Sequence, residues 1–344
     1  MRPDSAGPIP DCSVVIPTYN GLRLLQTCLA SIARYRSTEP PIEVIVADDA
    51  SSDETGSWLR QCHPYVRVVR LEKNGGFCAA ANAGIAASRG KFIQLLNNDT
   101  EVTPGWIRAG LAPFEHPQVG SVAPLVLVRS DPSRVDSAGD SYSLVGWPSK
   151  RGHGQPSKDW IEHPVDSVFG ASGSSAFYRT EALKRVGAFD SSFGSYYEDV
   201  DLAFRLRWAG YGCVFTPHCR ILHEVSASYD HGRPALQRRM ARNSEILFWC
   251  DLPGGWLAAA LLPHLGFTIS QGLRRALQGR ARPFWLGKLD ALLEIRSLRR
   301  RRRVRVDLAR DAVNTPHFPI RLGLLEDARN HLNRPLEASA RKTV

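Results

Sequence analysis

The sequence has few features that would cross-link it or carry it through a membrane. Its seven cysteines are an odd number and form no C-x-x-C pair, which argues against a disulfide framework and a cysteine-ligated zinc site. The longest apolar run covers the 14 residues 256–269 and contains Pro263 and His264. As a helix it would extend about 21 Å, less than the roughly 30 Å core of a bilayer. We therefore expect reduced thiols, and this run cannot cross a membrane as one helix.

Two familiar phosphate-binding patterns are also missing. The sequence has no G-x-x-x-x-G-K-[ST] pattern, and no G-x-G-x-x-G pattern follows its first predicted strand. These absences argue against a P-loop kinase and against a dinucleotide-dependent enzyme. The first residues, MRPDSAGPIPDC, lack the apolar stretch of a signal peptide, and this composition predicts a cytoplasmic location.

The positive charge of the chain is concentrated in its last third. The 344 residues are 43% hydrophobic and 23% charged, which excludes a disordered chain, and their number allows two domains of about 100–200 residues each. The formal net charge is +10. Residues 1–230 contain 22 basic and 25 acidic side chains, whereas residues 231–344 contain 22 and 9. The net charge therefore says nothing about the chemistry of the first two-thirds.

Short strand-like runs alternate with helical patterns between residues 12 and 99. The predicted strands cover residues 13–16, 42–47, 66–71 and 92–96, with helices near residues 22–33, 53–62 and 79–88 between them. This alternation predicts an α/β fold with a mostly parallel sheet and flanking helices. Each strand ends in a polar cluster, and such clusters face one ligand crevice at the carboxyl ends of the strands. Residues 125–170 are rich in Ser, Pro and Gly and predict a long loop or an irregular meander.

Side chains that could bind a metal ion follow two of the apolar runs of the sequence. Asn97 and Asp99 come directly after a predicted strand, and alternation points both side chains the same way. Asp99 is a candidate ligand for Mg²⁺ or Mn²⁺, to which Asn97 would add a neutral oxygen and His223 an imidazole nitrogen. The alternative is an Asn-Asp turn that caps the next helix, with His223 as an ordinary packed or surface residue.

Carboxylates also stand at the end of the second strand and at the start of a later helix. Asp48 closes the second strand, where it can accept hydrogen bonds from a base or a ribose. Glu198, Asp199 and Asp201 cluster at a predicted helix N-terminus. One of the three can be a general base that takes the proton of an attacking sugar hydroxyl. The alternative is that they complement the helix dipole and pair with a partner such as Arg205.

Five short blocks follow one another along the first 230 residues. They read V-V-I-P-T-Y-N at 14–20, V-A-D-D-A-S-S-D at 46–53, N-G-G-F through N-A-G at 74–84, L-L-N-N-D at 95–99 and E-D-V-D-L at 198–202. This ordered set resembles the family 2 inverting glycosyltransferases, especially their bacterial rhamnosyltransferase-like branch, over about residues 12–230. The resemblance implies a GT-A fold, which is Rossmann-like, together with a nucleotide-sugar donor and a divalent cation, Mg²⁺ or Mn²⁺.

The resemblance also implies roles for individual positions. The nucleotide pocket would be lined by Pro17, Thr18, Tyr19 and Asp48. The D-x-D motif falls on Asn97 and Asp99, the catalytic base on Asp199, and the histidine that helps to hold the metal in some relatives on His223. Asn97 departs from the aspartate that is most common at the first position of the motif, and this removes one negative charge from the site.

The implied reaction is an inverting, metal-dependent sugar transfer, with rhamnose as the first candidate. The acceptor would be a lipid-linked saccharide, and the reaction would belong to the assembly of a cell-surface polysaccharide. Two alternatives stay open. A sugar nucleotidyltransferase shares a nucleotide-binding sheet, but it needs a glycine-rich loop with Lys or Arg after the first strand, which residues 17–21 lack. The second alternative is a non-catalytic module that binds a membrane surface or nucleic acid.

The basic C-terminal region is predicted to be mainly helical. The sequence divides into an N-terminal tail at residues 1–11, a GT-A domain at 12–230 and this region at 231–344. A helix over residues 285–305, with leucines followed by an arginine run, can lie on the anionic inner face of the cell membrane. The alternative is a solvated arginine face over a helical extension. Nucleic acid is not an expected partner, because the run lacks interleaved aromatics and a carboxylate-lined crevice repels phosphates.

Overall fold

The computed structural model describes residues 9–62, 65–225 and 233–322. Its strands are β1 (Cys12–Thr18), β2 (Ile42–Asp48), β3 (Val66–Arg70), β4 (Phe92–Leu96), β5 (Thr100–Val102), β6 (Val119–Val128), β7 (Asp131–Ser137), β8 (Asp140–Ser143), β9 (Pro148–Lys150), β10 (Asp166–Val168), β11 (Ser175–Arg179), β12 (Gly212–His223) and β13 (Ile320–Arg321). Its helices are α1 (Leu22–Tyr35), α2 (Thr55–Cys62), α3 (Phe77–Ala87), α4 (Trp106–Leu111), α5 (Lys158–Ile161), α6 (Thr180–Val186), α7 (Glu198–Trp208), α8 (Pro234–Asp251), α9 (Gly254–Leu277), α10 (Ala281–Leu293) and α11 (Ile295–Arg310). Strands and helices alternate up to β4, as the sequence predicts.

Ten of the described strands form the main sheet, and β1 to β4 within it are parallel. Their order is β4-β1-β2-β3. Every residue of β1 is buried, which fits a central strand covered on both faces. In the parallel register Thr18 pairs with Asp48, and Asp48 pairs with Arg70. Three strands therefore end side by side, and this edge carries two of the residues expected in the nucleotide pocket.

The other half of the sheet is mixed. β11 is antiparallel to β4 and β6, β12 is parallel to β6, and β5, β7 and β10 join through antiparallel pairs. His223, at the end of β12, lies opposite Thr100, which follows Asp99 in the chain. Ser175, at the start of β11, lies opposite Leu96, which precedes Asn97. The register thus brings two distant strands to the loop that follows β4.

Apolar side chains pack on both faces of the main sheet. Val15 belongs to one buried cluster, whereas its neighbours Val14 and Ile16 belong to another, because successive side chains of a strand point to opposite faces. The cluster around Val15 also contains Leu202 and Leu206 of α7. The helix that begins with the acidic cluster is therefore anchored to the sheet by its apolar side.

The described residues divide into two compact units. One contains residues 9–140, 150–225 and 306–318, and the other contains residues 141–149, 233–305 and 319–322. The first unit holds the main sheet, and the second holds α8, α9, α10 and most of α11. The units do not follow the predicted boundary at residue 230 throughout. Residues 141–149, from the first part of the chain, belong to the second unit, and residues 306–318, from its last part, belong to the first unit. Within the described ranges, no helix has the length and hydropathy needed to cross a membrane.

In the second unit, α10 packs closely against α8. A Cβ built at Gly287 would lie 2.1 Å from the carbonyl oxygen of Arg238, so only glycine allows this approach. Arg238 also forms an ion pair of 2.6 Å with Asp290. The helix predicted over residues 285–305 is divided in the structure, because α10 ends at Leu293 and α11 begins at Ile295.

The arginine run of α11 is not a uniform charged face. Arg301 and Arg305 are buried, and Arg305 forms an ion pair of 2.6 Å with the fully buried Asp251 of α8. The half-buried Arg302 donates hydrogen bonds to carbonyl oxygens at the end of α8, including that of Trp249 at 3.1 Å. Part of the positive charge of this region therefore holds helices together inside the unit.

Candidate active site

The loops that follow β1 and β2 are tied together by hydrogen bonds. The side chain of Asn20 accepts them from the backbone N–H groups of Ser52 and Asp53, at 2.8 and 3.3 Å. The hydroxyl of Ser51 accepts one of 2.9 Å from the N–H of Asn20. Asn20 and Ala50 have φ angles of 47° and 58°, in the left-handed region that is costly for residues other than glycine. Such strain is typical of functional sites, where the surrounding contacts hold it.

The residues expected at the end of β1 differ in exposure. Pro17 and Thr18 are buried, and the hydroxyl of Thr18 accepts a hydrogen bond of 2.9 Å from the side chain of Asn98. Tyr19 is half exposed, with 50% of its surface open to solvent. The loops after β1 and β4 therefore touch through Thr18 and Asn98, and Tyr19 presents an aromatic ring beside them.

Asp48 is fully buried and surrounded by protein donors. Its Oδ1 accepts a hydrogen bond of 2.9 Å from the N–H of Ser51, and its Oδ2 forms an ion pair with Arg70. Arg70 also donates to the carbonyl oxygen of Ser51, at 2.7 Å, while 45% of its side chain stays exposed. Each carboxylate oxygen can accept a second hydrogen bond. Asp48 is thus a buried partner of a half-exposed guanidinium at the end of β2.

Asp49, the neighbour of Asp48, holds the loop before α3. Its two carboxylate oxygens accept hydrogen bonds of 2.7 and 2.8 Å from the N–H groups of Gly75 and Gly76. Gly76 has a φ of 81°, which favours glycine at this turn. The N-G-G block is therefore fixed to the end of β2 by one carboxylate.

Asp99 and His223 lie together where β5 and β12 pair. Nε2 of His223 is 3.3 Å from Oδ1 of Asp99. This oxygen is buried and accepts no aligned hydrogen bond from the residues that the structure describes. The imidazole of His223 is its ion-pair partner, and a buried carboxylate beside an imidazole fits a position that receives a cation.

Asp136 of β7 completes this group, although no pattern in the sequence marks it. Its Oδ2 lies 2.9 Å from Nδ1 of His223, and Nζ of Lys150 lies 2.8 and 2.9 Å from its two oxygens. Burial opposes ionisation, but hydrogen bonds from His153 and His223 and the charge of Lys150 hold the pKa of Asp136 below its usual range. Burial likewise opposes the charged imidazole, yet Asp136 and Asp99 raise the pKa of His223 to about 9.

Asp199 lies in the first turn of α7. Its Oδ2 accepts a hydrogen bond of 2.8 Å from the N–H of Gly173, and its Oδ1 accepts one of 2.9 Å from the N–H of Val200. Burial raises the pKa of Asp199, and these two hydrogen bonds oppose the rise. Tyr196 and Tyr197, both with a φ of 70°, lead the chain into the helix. A second strained stretch therefore stands directly before this carboxylate.

The neighbouring Asp201 has a different environment. It forms a buried ion pair of 2.7 Å with Arg205, one helical turn later. Pairing with arginine, the alternative raised for this acidic cluster, therefore describes Asp201. Asp199 instead faces the loop that precedes β11.

One short segment before β11 contacts two of the predicted site residues. The N–H of Asn97 donates a hydrogen bond of 3.0 Å to the carbonyl oxygen of Ser174, and the N–H of Gly173 binds Asp199. The side chain of Asn97 is half-buried. The loop after β4 and the start of α7 are thus held by adjacent residues.

Asp140 is a second buried carboxylate near the charge of Asp199. Burial and that negative charge raise the pKa of Asp140, while Lys150 opposes the rise. Its Oδ2 accepts no hydrogen bond within the described ranges. The charges of Lys150 and of neighbouring carboxylates therefore act on the first turn of α7.

The donors near Asp99 fit a divalent cation only in part. Among the residues described, no three carboxylate, histidine or cysteine side chains converge to form a complete metal site. Asp99 and His223 supply one oxygen group and one nitrogen, with Asp136 behind the imidazole. Mg²⁺ is commonly bound by one or two protein groups and completes its coordination with phosphate and water. The residues present therefore fit a cation that binds together with a diphosphate.

Comparison with known proteins places this geometry in a family. The model of glycosyl transferase family 2 matches residues 13–187. Over 271 residues the chain is 30% identical to the N-acetylglucosaminyl-diphospho-decaprenol L-rhamnosyltransferase of Mycobacterium tuberculosis, which covers 72% of this chain and 87% of that protein. The chain belongs to glycosyl transferase family 2. This family 2 glycosyltransferase is also 30% identical over 232 residues to the pre-mycofactocin glycosyltransferase of the same organism, covering 65% and 44% of the two chains.

Solved structures confirm the fold of this glycosyltransferase. The mannosyltransferase PcManGT from Pyrobaculum calidifontis, in complex with GDP-Man and Mn²⁺, has a TM-score of 0.52 at 20% identity, covering 87% of this chain and 85% of that one. S. aureus TarS 1–349, in complex with UDP-GlcNAc, has a TM-score of 0.52 at 19% identity and covers 93% and 92%. The GT-A fold predicted from the sequence is therefore confirmed.

Proposed function

We propose that this family 2 glycosyltransferase catalyses an inverting transfer of a sugar from a nucleoside diphosphate to a lipid-linked saccharide. Rhamnose is the first candidate for the sugar. The observation that carries the proposal is the carboxylate of Asp199, held in the first turn of α7 by the N–H of Gly173, with a pKa raised by burial. A raised pKa makes a carboxylate a better proton acceptor. The catalytic domain of the proposal is residues 12–230.

In the proposed reaction Asp199 acts as the general base. The acceptor hydroxyl oxygen attacks the anomeric carbon of the donor, and its proton passes to the carboxylate of Asp199. The bond between the anomeric carbon and the diphosphate oxygen breaks, and the nucleoside diphosphate leaves with the electron pair. Attack from the face opposite the leaving group inverts the configuration. The step needs no covalent enzyme intermediate.

The donor diphosphate needs a positive charge in a crevice that is rich in carboxylates. Asp99 and His223 would hold Mg²⁺ or Mn²⁺, and Asp136 would orient the imidazole by accepting the hydrogen of Nδ1. The amide oxygen of Asn97, two residues before Asp99, would add a neutral donor. A bound divalent cation supplies charge stabilisation to the leaving diphosphate. The Mn²⁺ in the mannosyltransferase with the same fold supports this cation requirement.

The nucleotide would bind at the ends of β1 and β2. Pro17 and Thr18 form the buried floor of this edge, Tyr19 offers a half-exposed ring, and Asp48 retains lone pairs for hydrogen bonds from a base or a ribose. The exposed part of Arg70 adds a positive charge beside Asp48. The position of this edge agrees with the rule that ligands of open α/β sheets bind outside the carboxyl ends of the strands.

The similarity to the mycobacterial rhamnosyltransferase supports the acceptor class that we propose. That relative is named for a decaprenol-linked N-acetylglucosamine diphosphate, and its similarity to this chain covers 87% of its length. We infer that the acceptor here is also a saccharide on a polyprenyl diphosphate.

Calorimetry and product analysis test the proposal. We expect one of dTDP, UDP and GDP to bind in the presence of Mn²⁺ or Mg²⁺, and this binding to be lost with EDTA or in Asp99→Ala. With the matching nucleotide sugar and a polyprenyl-diphosphate N-acetylglucosamine acceptor, NMR of the product would show inverted anomeric configuration. A retained configuration would contradict the role of Asp199. Release of inorganic diphosphate from a nucleoside triphosphate and a sugar phosphate would instead indicate a nucleotidyltransferase.

A further inference from the structure

Helix α9 of the second unit exposes an apolar face and buries the polar side chains of His264 and Gln271. Leu262 and Leu277 are 79% and 91% exposed, whereas His264 and Gln271 are each only 3% exposed. The exposed apolar side chains recur every three or four residues and therefore lie on one side of the helix. They are Leu262, Leu265, Ile269, Leu273 and Leu277. In water, the hydrophobic effect would favour the opposite orientation, with the leucines buried and the polar residues exposed.

The buried side of α9 explains why the helix keeps this orientation. Nδ1 of His264 lies 2.8 Å from the carbonyl oxygen of Val145, and its Nε2 lies 3.0 Å from Oε1 of Glu245. Glu245 also pairs with Lys288 at 2.7 Å. These buried polar contacts, all within the second unit, fix the rotation of the helix about its axis and leave the leucines outward.

The exposed apolar surface continues onto α10. The ring of Trp285 lies so close to α9 that a Cβ built at Gly272 would be 2.1 Å from it. Trp285 is 44% exposed, and the same side of α10 carries further exposed leucines, namely Leu289, Leu292 and Leu293. We call the exposed apolar residues of α9 and α10 together the apolar face. A tryptophan beside leucines is typical of helices that lie at a membrane interface.

The charges along α9 and the first part of α10 are of one sign, whereas the acidic Asp290 and Glu294 at the end of α10 are paired with arginines of α8. Residues 252–289 contain no Asp or Glu and five basic residues, four of them arginines between the end of α9 and the start of α10, namely Arg274, Arg275, Arg280 and Arg282. Basic side chains flanking an apolar helix face attract anionic lipid headgroups. A two-fold dimer through the same surface would bring the arginines of two copies together, because such an interface uses the same patch on both subunits.

We propose that the apolar face docks on an anionic lipid bilayer, with α9 and α10 lying in the interface. This proposal rests on the proposed function for one point, the lipid-linked acceptor, which needs an enzyme held at a bilayer. The sequence-based expectation placed docking on the apolar stretch 256–269 and on the leucines and arginine run of residues 285–305. The proposal keeps the leucines of α9 and α10 and replaces the arginine run by arginines 274–282, because Arg301 and Arg305 of α11 are buried.

Vesicle co-sedimentation of the full-length protein tests this surface. The vesicles are pure phosphatidylcholine in one set and equal parts phosphatidylcholine and phosphatidylglycerol in the other. We expect binding to the anionic vesicles, weaker binding to the neutral ones, and a loss of at least about tenfold in the double variant Leu262→Glu with Leu273→Glu. The matched control is Val165→Glu, an exposed apolar residue of the first unit. Circular dichroism would confirm that both variants fold.

Two results would overturn the docking surface. One is vesicle binding by the double variant that equals the wild type. The other is a wild-type dimer that becomes a monomer in the double variant, without any binding of the wild type to vesicles, which would identify a second copy as the occupant.

An activity assay with two kinds of acceptor tests the docking surface and the proposed function separately. If both are correct, the double variant transfers sugar normally to a short-chain, water-soluble acceptor and poorly to an acceptor embedded in vesicles. If the wild type binds vesicles but transfers sugar to neither acceptor, the docking surface stands and the proposed function fails.

Discussion

The backbone N–H of Gly173 donates a hydrogen bond of 2.8 Å to Oδ2 of Asp199. A Cβ built at residue 173 would lie 3.2 Å from the same oxygen, so the main chain approaches the carboxylate as closely as glycine allows. The next residue, Ser174, accepts a hydrogen bond from the N–H of Asn97. Two adjacent residues therefore fix the proposed base and the loop that carries the proposed cation ligand.

Replacement of Asp199 by asparagine keeps the size of the side chain and removes the proton acceptor. We expect kcat to fall by about 10²–10⁴-fold, the usual contribution of a positioned general base. Nucleotide affinity should stay unchanged, because within the described residues the side chain of Asp199 accepts hydrogen bonds from Gly173 and Val200 and none from the loops after β1 and β2. Steady-state kinetics and calorimetric titration with the nucleotide measure the two quantities.

Glu181→Gln is the matched control for this substitution. Glu181 is an exposed acidic residue in the first turn of α6, and its loss should leave kcat unchanged. A transfer rate of Asp199→Asn within a few-fold of the wild type, with folding intact, would show that another group accepts the proton.

The pH dependence of kcat/KM should report the ionisation of Asp199. A protonated carboxyl cannot accept the hydroxyl proton, so the rate falls as the pH is lowered through its pKa. Burial raises this pKa above its ordinary value of about 3.9, and the acid limb of the profile should lie correspondingly higher. The residual activity of Asp199→Asn should lack this limb.

Lys150 gives an independent check on the assignment of the acid limb. Its positive charge lowers the pKa of Asp199, so Lys150→Gln should move the limb to higher pH. The shift is measured on the same kcat/KM profile. An unchanged limb in Lys150→Gln, or a limb that persists in Asp199→Asn, would assign the titration to a different residue.

Features with a local signal could be predicted from the sequence. β1, β2 and β4 are largely apolar runs followed by polar residues, so the positions of Thr18 and Asp48 at strand ends and of Asp99 in the loop after β4 were predictable. Asp136 was not, because it lies in residues 125–170, where weak periodicity predicted a long loop or an irregular meander without a register, and the structure has defined strands. Its contact with His223 spans 87 positions and depends on the pairing of β6 with β7 and β12.

In the C-terminal region, too, the sequence predicted the secondary structure but not the contacts between residues that are distant in the chain. Periodicity indicated helices there, and the structure contains them. The burial of Arg305 depends on Asp251, which is 54 positions away, and helical periodicity carries no information about such a partner. The orientation of α9 likewise depends on Glu245, which precedes His264 by 19 positions on another helix.

Gly110 tests the packing of β11, the strand that follows the Gly173 segment. A Cβ built at Gly110 of α4 would lie 2.4 Å from the ring of Phe177, which is fully buried on β11. Gly110→Ala should therefore lower the free energy of unfolding by about 1–3 kcal/mol through overpacking. The gain of about 1 kcal/mol that alanine has over glycine in a helix offsets only part of this.

Urea unfolding of the full chain measures this loss of stability. Ala109→Ser, a half-buried position on the same helix, is the control and should change the unfolding free energy much less. If Gly110→Ala unfolded at the same urea concentration as the wild type, the ring of Phe177 would have room to move and the core at β11 would be looser than its burial indicates.

Asp136→Asn tests whether the carboxylate behind His223 supports cation binding. Oδ2 of Asp136 lies 2.9 Å from Nδ1 of His223, and a carboxylate in this position makes the imidazole a more basic ligand and fixes its orientation. Asparagine keeps an oxygen acceptor but removes the charge. We expect the affinity for Mn²⁺, measured in the presence of the nucleotide, to fall by about 10–100-fold, as is usual for such partners.

The signal of free Mn²⁺ in electron paramagnetic resonance measures this affinity without reference to activity. Asp131→Asn is the matched control, because Asp131 is exposed at the start of the same strand and bonds only to Ser133 in the described structure. If Asp99→Ala abolished Mn²⁺ binding and Asp136→Asn left it intact, Asp99 would hold the cation without an oriented histidine. Equal Mn²⁺ binding by the wild type and Asp99→Ala would remove the cation from this loop altogether.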